Sequence, residues 1–283
     1  MENKIYLKNI PSFGVAGNFT GHLEQAGEDK DFLTIKTESQ NAPKAVFPTY
    51  INVNKSDTVP AYLQTFPFDS TKINFPKNEQ KIQIEPECAL IFDAIWENEK
   101  LIELKAVNFG ASNDCSIRKE GAKKISVKKN WGNSSKGFSS NLIPVDSFTK
   151  DGLISKYKIA SFLIRDNQIY DYGEDSFIND YSYIYEKLIS WLIEKFNFQK
   201  DEGPAENIYS YLKEAGFPKQ IMVSIGATRY TDWGETNFLK EKDEAVVAVY
   251  PSDKYSYDEL KSLVLNHDYS DKSVSFLSQV IHS

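Results

Sequence analysis

The clearest strand pattern in the chain runs from residue 82 to residue 94, with the sequence IQIEPECALIFDA. Successive side chains of an extended strand point to opposite faces of a sheet. Glu85 and Glu87 therefore share one face, and Cys88 points to the other. Burial makes it costly for two neighbouring carboxylates to ionise together, so this face needs compensation from solvent, from a basic side chain or from a metal ion.

Further strands are predicted on both sides of this segment. Residues 153–172 alternate well and predict two strands joined at Asp166-Asn167, a pair typical of tight turns. Residues 221–234 predict a strand followed by a loop, and residues 238–251 predict a final strand. Near the N-terminus, residues 5–28 predict a short strand, a glycine-rich turn and a short polar helix.

Helical periodicity is strongest over residues 176–197, where Asp175 or Ser176 can cap the first turn. We interpret its apolar stripe as core packing; it consists of Ile184, Leu188, Trp191 and Leu192. Residues 199–219 predict an additional helical element, and residues 252–283 predict two short helices.

Composition places the chain among ordinary globular proteins. Its 283 residues are 41% hydrophobic and 26% charged, enough to bury a substantial core as one large domain or two small ones. Because the chain shows no repeat, low-complexity tract or Gly/Ser linker, we predict a single domain over residues 1–283. The 13% of aromatic residues favour β-structure.

Charge and hydropathy limit the classes of partner that the chain is expected to bind. A net charge of −7 argues against a general nucleic-acid or anionic-membrane surface. No window is apolar enough to span a bilayer, and the N-terminus lacks the apolar core of a signal peptide, so a cytoplasmic location is expected. Cys88 and Cys115 are predicted to be buried free thiols. The pairs Lys123-Lys124 and Lys128-Lys129 are interpreted as solvated loop residues.

Candidate chemistry lies in three segments between residues 82 and 138. After the Glu85 and Glu87 strand, a small-residue segment supplies Asp114 within a D-x-S-x-R pattern that ends at Arg118. Three carboxylates offer the hard oxygen ligands that Mg²⁺, Mn²⁺ or Ca²⁺ prefer. The third segment supplies Lys136. Taken alone, an E-x-E strand is more often a solvent-exposed polar face than a metal site.

The order of these motifs resembles the fumarylacetoacetate hydrolase (FAH) family: E-x-E in a strand, then N-D-x-S-x-R, then W-x-x-x-x-K-G-F. The resemblance implies that Glu85, Glu87 and Asp114 bind Mg²⁺ or Mn²⁺, and that Lys136 touches the substrate. The sequence departs from the family pattern in three places: Lys119 replaces an Asp, Gly137 replaces a Ser, and the spacing from Trp131 to Lys136 is one residue longer.

A second resemblance concerns GNFTGH, which matches the family segment that carries a histidine base and identifies it as His22. The family's partner Glu falls on Gln25, so Glu24 or Glu28 would have to replace it, and we take Glu24 as the catalytic candidate. An amide can orient an imidazole but cannot raise its basicity. The family pattern further implies substrate contacts at Arg118, Gly226 and Thr228.

The resemblance covers about residues 10–250 and implies an α+β, mostly β fold. This would be a mixed β-roll or sandwich of the FAH C-terminal-domain type with peripheral helices, usually a homodimer. Residues 252–283 would form a C-terminal helical extension. The implied activity is metal-dependent hydrolysis of a C–C bond in an acylpyruvate-like or 1,3-dicarbonyl acid. The alternatives are a lyase or isomerase on 2-oxo acids, of the oxaloacetate decarboxylase or tautomerase type, and a non-catalytic binder on the same scaffold.

Overall fold

A long antiparallel hairpin lies in the middle of the larger of two β-sheets. Its strands are Pro86–Glu97 and Lys100–Asn113. The turn between them is made by Asn98 and Glu99, both with positive φ (48° and 63°). Two such residues in succession give a tight turn whose twist matches that of the flanking strands. Most of the segment predicted to be extended, residues 82–94, is therefore strand.

The computed structural model describes residues 6–32, 37–39, 41–79, 81–119 and 121–282. Over these residues the strands, in chain order, are β1 (Ser12–Ala16), β2 (Ala45–Tyr50), β3 (Phe68–Asp69), β4 (Lys72–Asn74), β5 (Ile82–Gln83), β6 (Pro86–Glu97), β7 (Lys100–Asn113), β8 (Ser116–Ile117), β9 (Lys136–Phe138), β10 (Ile143–Pro144), β11 (Tyr157–Arg165), β12 (Gln168–Phe177), β13 (Gln220–Ala227), β14 (Glu244–Pro251) and β15 (Ser275–His282).

Strand order brings distant parts of the chain together. The larger sheet has the order β2-β1-β13-β6-β7-β9-β3, with β10 beside β7, and the second sheet has the order β12-β11-β14-β15-β4. Most neighbours are antiparallel, but β1 with β13, β3 with β9 and β4 with β15 are parallel. A separate ribbon pairs β5 with β8. Strands from the N-terminal, central and C-terminal parts of the chain therefore lie in one sheet with β6 and β7.

The helices are short and peripheral. They are α1 (His22–Gln25), α2 (Tyr185–Phe198), α3 (Ile208–Glu214), α4 (Asp232–Thr236) and α5 (Tyr257–Leu265), with 3₁₀ turns at Leu7–Asn9, Asp29–Phe32, Ala61–Gln64, Ile125–Lys128, Leu153–Lys156 and Ile178–Asp180. No helix among the described residues is long and apolar enough to cross a membrane. The prediction of a mostly β fold with peripheral helices is confirmed.

The largest apolar core is shared by both sheets and α2. It includes Leu90 of β6, Phe109 of β7, Val247 of β14 and Leu277 of β15. Cys88 and Cys115 are free and fully buried in the same core, as predicted. The two sheets therefore face each other across one apolar layer, and the ends of β6 and β7 lie at its edge.

The predicted start of the main helix is wrong. Residues 168–177 continue as β12, which pairs with β11 as far as Phe177, and α2 begins only at Tyr185. Ser176 pairs with Ile159, and Asp175 lies at an irregularity of the same strand pair, so neither caps a helix. The stripe prediction is confirmed, since Leu188 and Leu192 are fully buried. The tight turn at Asp166-Asn167 is also confirmed, with φ of 52° and 60°.

The predicted second C-terminal helix is also wrong. Residues 257–265 form α5, but Ser275–His282 form β15, an inner strand of the second sheet. Leu277, Val280 and Ile281 fit helical spacing, and the same segment also fits a two-residue alternation. Pairing with β14 on one side and β4 on the other decides between the two patterns. The C-terminal segment is therefore not a helical extension.

Candidate metal centre

The three predicted carboxylates meet where β6 begins and β7 ends. Glu85 and Glu87 flank the first residue of β6, and Asp114 follows the last residue of β7. Asp114 N donates to Glu85 O at 3.0 Å, which holds the two segments side by side. One carboxylate oxygen from each of the three residues lies within 4.8 Å of the others, and all three side chains are buried. The structure therefore brings this predicted set together.

Glu87 is held by the backbone of a glycine. Its Oε2 accepts a hydrogen bond from the backbone N of Gly226 at 2.8 Å. Gly226 has a φ of 119° and lies at an irregularity between β13 and β6, and a Cβ there would be 3.1 Å from Asn18 Cβ. Only glycine adopts this conformation readily. Burial, with the nearby charges of Asp114 and Glu85, raises the pKa of Glu87 well above its ordinary value.

Two lysine ammonium groups contact the carboxylates directly. Lys129 Nζ lies 2.5 Å from Glu85 Oε2 and 2.8 Å from Asp114 Oδ2. Lys136 Nζ pairs with Asp114 Oδ1 and lies 3.4 Å from the carbonyl oxygen of Cys115. Burial alone would raise the pKa of Glu85, but Lys129 and Arg118 overcome it and hold that pKa well below its ordinary value. The predicted proximity of Lys136 to the acidic group is thus observed.

Lys128 and Lys129 were interpreted as solvated loop residues, and this interpretation is wrong. Both are buried, whereas Val127 beside them is 45% exposed. A 3₁₀ turn over Ile125–Lys128 directs the polar side chains inward and the valine outward. One feature of the sequence could have predicted their burial. Three carboxylates that are buried away from solvent need a buried basic partner.

Arg118 holds two acidic groups together. Its Nη1 lies 2.9 Å from Glu28 Oε1 and 2.8 Å from Glu85 Oε1. Its Nε donates to Gln83 Oε1 at 2.6 Å, and its Nη2 donates to Tyr230 OH at 2.6 Å. These contacts engage most of the guanidinium within the protein. Arg118 therefore positions Glu28 and Glu85, and its contact with a substrate stays a prediction.

His22 is buried next to this network. Its ring centroid lies 5.2 Å from that of Tyr230, and its Nδ1 has no hydrogen-bond partner among the described residues. Burial lowers the pKa of His22 to about 4, against an opposing effect of the Glu85 charge. The imidazole is therefore neutral at physiological pH, and its Nδ1 is free of hydrogen bonds to the described residues.

The prediction that Glu24 is a catalytic residue needs correction, because the Glu24 side chain is exposed. Glu24 is exposed on the four-residue helix α1, so it cannot support a buried imidazole. Glu28 is buried instead and accepts from Lys128 at 2.8 Å as well as from Arg118. The charge of Glu28 acts on His22, and it opposes the effect of burial on the pKa of His22. Glu28 is therefore the better candidate of the two.

Thr228 lies beside Glu87, and its hydroxyl is buried. Its backbone N donates to Pro86 O at 3.1 Å, which places it directly over the start of β6. Its Oγ1 has no hydrogen-bond partner within the described ranges. A buried hydroxyl without a partner is costly, which makes this atom a candidate for contact with a ligand.

Two departures from the family pattern have local explanations. Lys119 is exposed and pairs with Glu79 at 2.8 Å, away from the buried cluster. At Gly137, a Cβ would lie 2.2 Å from Gln279 Oε1. Gln279 belongs to β15, and its Oε1 accepts from Asn113 Nδ2 at 3.0 Å, while Asn113 Oδ1 accepts from Glu85 N at 3.1 Å. The C-terminal strand thus supports the acidic residues, and its glutamine excludes a side chain at position 137.

A cleft of about 450 Å³ opens onto the outer side of this network. Glu28, Arg118 and Lys128 form its inner wall. Among the described lining residues, the basic ones are Lys30, Lys81, Arg118, Lys119 and Lys128, and the acidic ones are Glu28 and Glu235. The excess of positive charge favours an anionic ligand.

The donor set fits a divalent cation. Three buried carboxylates within 4.8 Å of one another supply the hard oxygens that Mg²⁺ and Mn²⁺ prefer. His22 Nδ1 and Thr228 Oγ1 are buried without a hydrogen-bond partner among the described residues; the charge of Glu85 acts on His22, and the backbone N of Thr228 donates to Pro86 O. The residues present therefore suit the metal that the resemblance implies, although Lys129 already contacts two of the three carboxylates.

Solved structures with a similar fold identify the fold type of this chain. A candidate fumarylacetoacetate isomerase/hydrolase from Oleispira antarctica is 13% identical over 96% of this chain and 93% of its own, with a TM-score of 0.55. A candidate FAH family protein from Yersinia pestis CO92 is 12% identical over 96% and 93%, with a TM-score of 0.52. A 2-keto-3-deoxy-D-arabinonate dehydratase in complex with magnesium and 2,5-dioxopentanoate is 13% identical over 96% and 72%, with a TM-score of 0.53. The chain thus has an FAH-type fold.

Sequence comparison assigns the chain to a family. A family model of unknown function, DUF5718, matches residues 28–281, and the chain belongs to that family. A comparison with curated proteins finds no match.

Proposed function

We propose that this chain is a divergent member of the FAH family that acts as a metal-dependent enzyme on a small 2-oxo or 1,3-dicarbonyl acid. The observation that carries the proposal is the buried convergence of Glu85, Glu87 and Asp114 beside Lys136. The FAH-type fold supports it, since one structure with this fold holds magnesium together with 2,5-dioxopentanoate.

The roles of the site residues follow from their contacts. A divalent ion bound by the three carboxylates would supply Lewis-acid polarisation of a substrate carbonyl. Lys136 holds an ammonium against Asp114 and would stabilise negative charge that develops on the substrate. His22 is neutral and its Nδ1 is unused, so it can accept or deliver a proton. The Thr228 hydroxyl is the candidate donor to the substrate.

The cleft supports an anionic substrate. Among the described residues that line it, the basic ones outnumber the acidic ones. The cleft borders Arg118, which contacts Glu85, and Glu28, which contacts Arg118. A carboxylate ligand would be attracted to this opening by the excess of positive charge. Partners other than such a small molecule are not part of the proposal, and a homodimer and a cytoplasmic location stay predictions.

The leading reaction is hydrolysis of a C–C bond in an acylpyruvate-like acid. It requires a base that activates water, and His22 with Glu28 is the pair that we assign to this step. The second candidate is decarboxylation or tautomerisation of a 2-oxo acid such as oxaloacetate. It is favoured by one observation: His22 Nδ1 has no hydrogen-bonded carboxylate within the described part of the chain.

Turnover with purified protein tests the proposal. Mg²⁺- or Mn²⁺-loaded protein is assayed on an acylpyruvate and on oxaloacetate, with ¹⁸O-labelled water and with measurement of released CO₂. Cleavage of the acylpyruvate into pyruvate and a carboxylate that carries the label identifies hydrolysis, and release of CO₂ from oxaloacetate identifies the lyase. Asp114→Asn should lower turnover by about a hundredfold or more. Glu103→Gln, which changes an exposed carboxylate on β7, is the matched control and should keep full activity.

Two results would overturn the proposal. Asp114→Asn that keeps both its bound ion and its turnover would remove the carboxylates from the mechanism. A wild-type protein that binds the ion but turns over no member of a broad panel of 2-oxo acids would leave the non-catalytic binder as the better description.

A further inference from the structure

Lys129 occupies a position that a metal ion would also use. Its Nζ lies between Glu85 Oε2 and Asp114 Oδ2, at 2.5 Å and 2.8 Å, and its side chain is 3% exposed. Both oxygens belong to the candidate metal ligands. An ammonium that bridges two carboxylates satisfies them much as a small cation does, through hydrogen bonds and charge.

Cations among the described residues already compensate the buried carboxylates of this network. The acidic members are Glu28, Glu85, Glu87 and Asp114, and the basic members are Arg118, Lys128, Lys129 and Lys136. Glu85 and Asp114 each contact at least one of these cations, and the raised pKa of Glu87 favours its uncharged form. A divalent ion would therefore add two positive charges to a site with little solvent, unless an existing cation moved away.

Lys129 is the cation best suited to move. Lys136 contacts one carboxylate and a backbone carbonyl, whereas Lys129 bridges the two carboxylates that an ion would draw together. The Phe47 ring offers an alternative partner, since its centroid lies 5.2 Å from Lys129 Nζ. A cation–π contact there would keep a displaced ammonium stabilised inside the protein.

We propose that Lys129 is a built-in cation that neutralises Glu85 and Asp114 when no metal is bound and competes with a divalent ion for them. The proposal rests on the proposed function, because it assumes that the three carboxylates bind an ion. Its consequence is a folded site in which Lys129 compensates Glu85 and Asp114 without metal, and a lower affinity for metal than the carboxylates alone would give.

The test is Mn²⁺ affinity, measured by titration calorimetry on the full chain, together with thermal unfolding with and without Mn²⁺. The variants are Lys129→Met and Lys129→Gln, and the glutamine keeps a hydrogen-bond donor for Glu85 if the methionine variant folds poorly. Lys213→Met removes the same charge from an exposed lysine on α3 and is the matched control. Both Lys129 variants should bind Mn²⁺ about tenfold more tightly or better than wild type. Without metal, the Lys129 variants should unfold at a lower temperature than wild type. Mn²⁺ should bring their unfolding temperature back to that of wild type.

The outcomes separate this proposal from the proposed function. If wild type and the folded Lys129 variants bind Mn²⁺ equally, or the variants bind it more weakly, competition by Lys129 is excluded while the metal site stands. If neither wild type nor any variant binds Mn²⁺, both the competition and the metal-dependent function are excluded. Tighter binding in Lys213→Met as well would assign the effect to net charge and overturn the specific role of Lys129.

Discussion

Gln25 and the backbone of Tyr230 form a reciprocal pair of hydrogen bonds. Tyr230 N donates to Gln25 Oε1 at 2.8 Å, and Gln25 Nε2 donates to Tyr230 O at 3.1 Å. This pair joins α1, which carries His22, to the loop after β13. A carboxylate could accept one of the two bonds but could not donate the other. The residue that departs from the family pattern thus has a structural function.

Restoring the family residue with Gln25→Glu should therefore destabilise the protein. We expect a loss of about 1–3 kcal/mol in the free energy of unfolding at pH 7, because the carbonyl of Tyr230 loses its donor. Urea denaturation measures the loss. Glu24→Gln, an exposed change on the same helix, should stay within about 0.5 kcal/mol of wild type. A stable Gln25→Glu variant with faster water-dependent turnover would contradict this account.

Gly137 should not tolerate the serine that the family usually has. A Cβ at this position would lie 2.2 Å from Gln279 Oε1 and 2.6 Å from Leu277 Cδ2, so either neighbour must shift. We expect Gly137→Ala and Gly137→Ser to cost about 1–3 kcal/mol each, as overpacking of a filled interior does. Chemical denaturation at one pH measures both.

A double-mutant cycle assigns this cost to the named neighbour. In a Gln279→Ala background, Gly137→Ala should cost less than in wild type, and the difference is the coupling between the two side chains. Equal costs in both backgrounds would place the clash elsewhere. Because Gln279 Oε1 also accepts from Asn113, Gln279→Ala alone should be destabilising.

The sequence predicted the parts of the site that are local in the chain. The alternation around Glu85 and Glu87 and the tight turn at Asp166-Asn167 depend on neighbouring residues, so their patterns survive in the structure. The motif order also led to Asp114 and Lys136, which the fold brings into one buried group.

What could not be predicted depends on partners far apart in the chain. Lys129 is buried because Glu85, 44 positions earlier, needs its charge, and a lysine pair in a polar segment carries no local sign of this. Ser275–His282 fits helix and strand equally well, and β14 and β4 decide it. The exposure of Glu24 follows in the same way from how a four-residue helix packs.

Thr228→Val should separate ligand binding from stability. The Thr228 hydroxyl is buried with no hydrogen-bond partner in the part of the chain that the structure describes, so replacing it by a methyl of similar shape should leave stability unchanged or slightly higher. If the hydroxyl contacts the substrate, the KM of the 2-oxo acid that is turned over should rise about tenfold. Ser161→Ala, which removes another buried hydroxyl without a partner, is the control. An unchanged KM in Thr228→Val would exclude the contact.

Glu206 should make stability depend on pH from a position outside the metal centre. Its Oε1 accepts from Ser126 Oγ at 3.0 Å, and Ser126 lies in the 3₁₀ turn that ends at Lys128. Its Oε2 is buried without a hydrogen-bond partner among the described residues. Burial raises the pKa of Glu206 from 4.5 to about 7. The native state therefore holds a proton here that the unfolded state releases at lower pH.

The direction of this pH dependence follows from the linkage between proton binding and folding. Because the native pKa is raised, the stability that the protonated carboxyl contributes is complete below pH 4.5 and is lost as the pH rises through about 7. Glu206→Gln should match wild type near pH 5 and exceed its free energy of unfolding by at most about 3 kcal/mol at pH 8. Glu202→Gln, an exposed neighbour, should show no pH-dependent difference. Urea denaturation of the three proteins at several pH values measures the difference, and parallel curves for wild type and Glu206→Gln would show that Glu206 is ionised throughout.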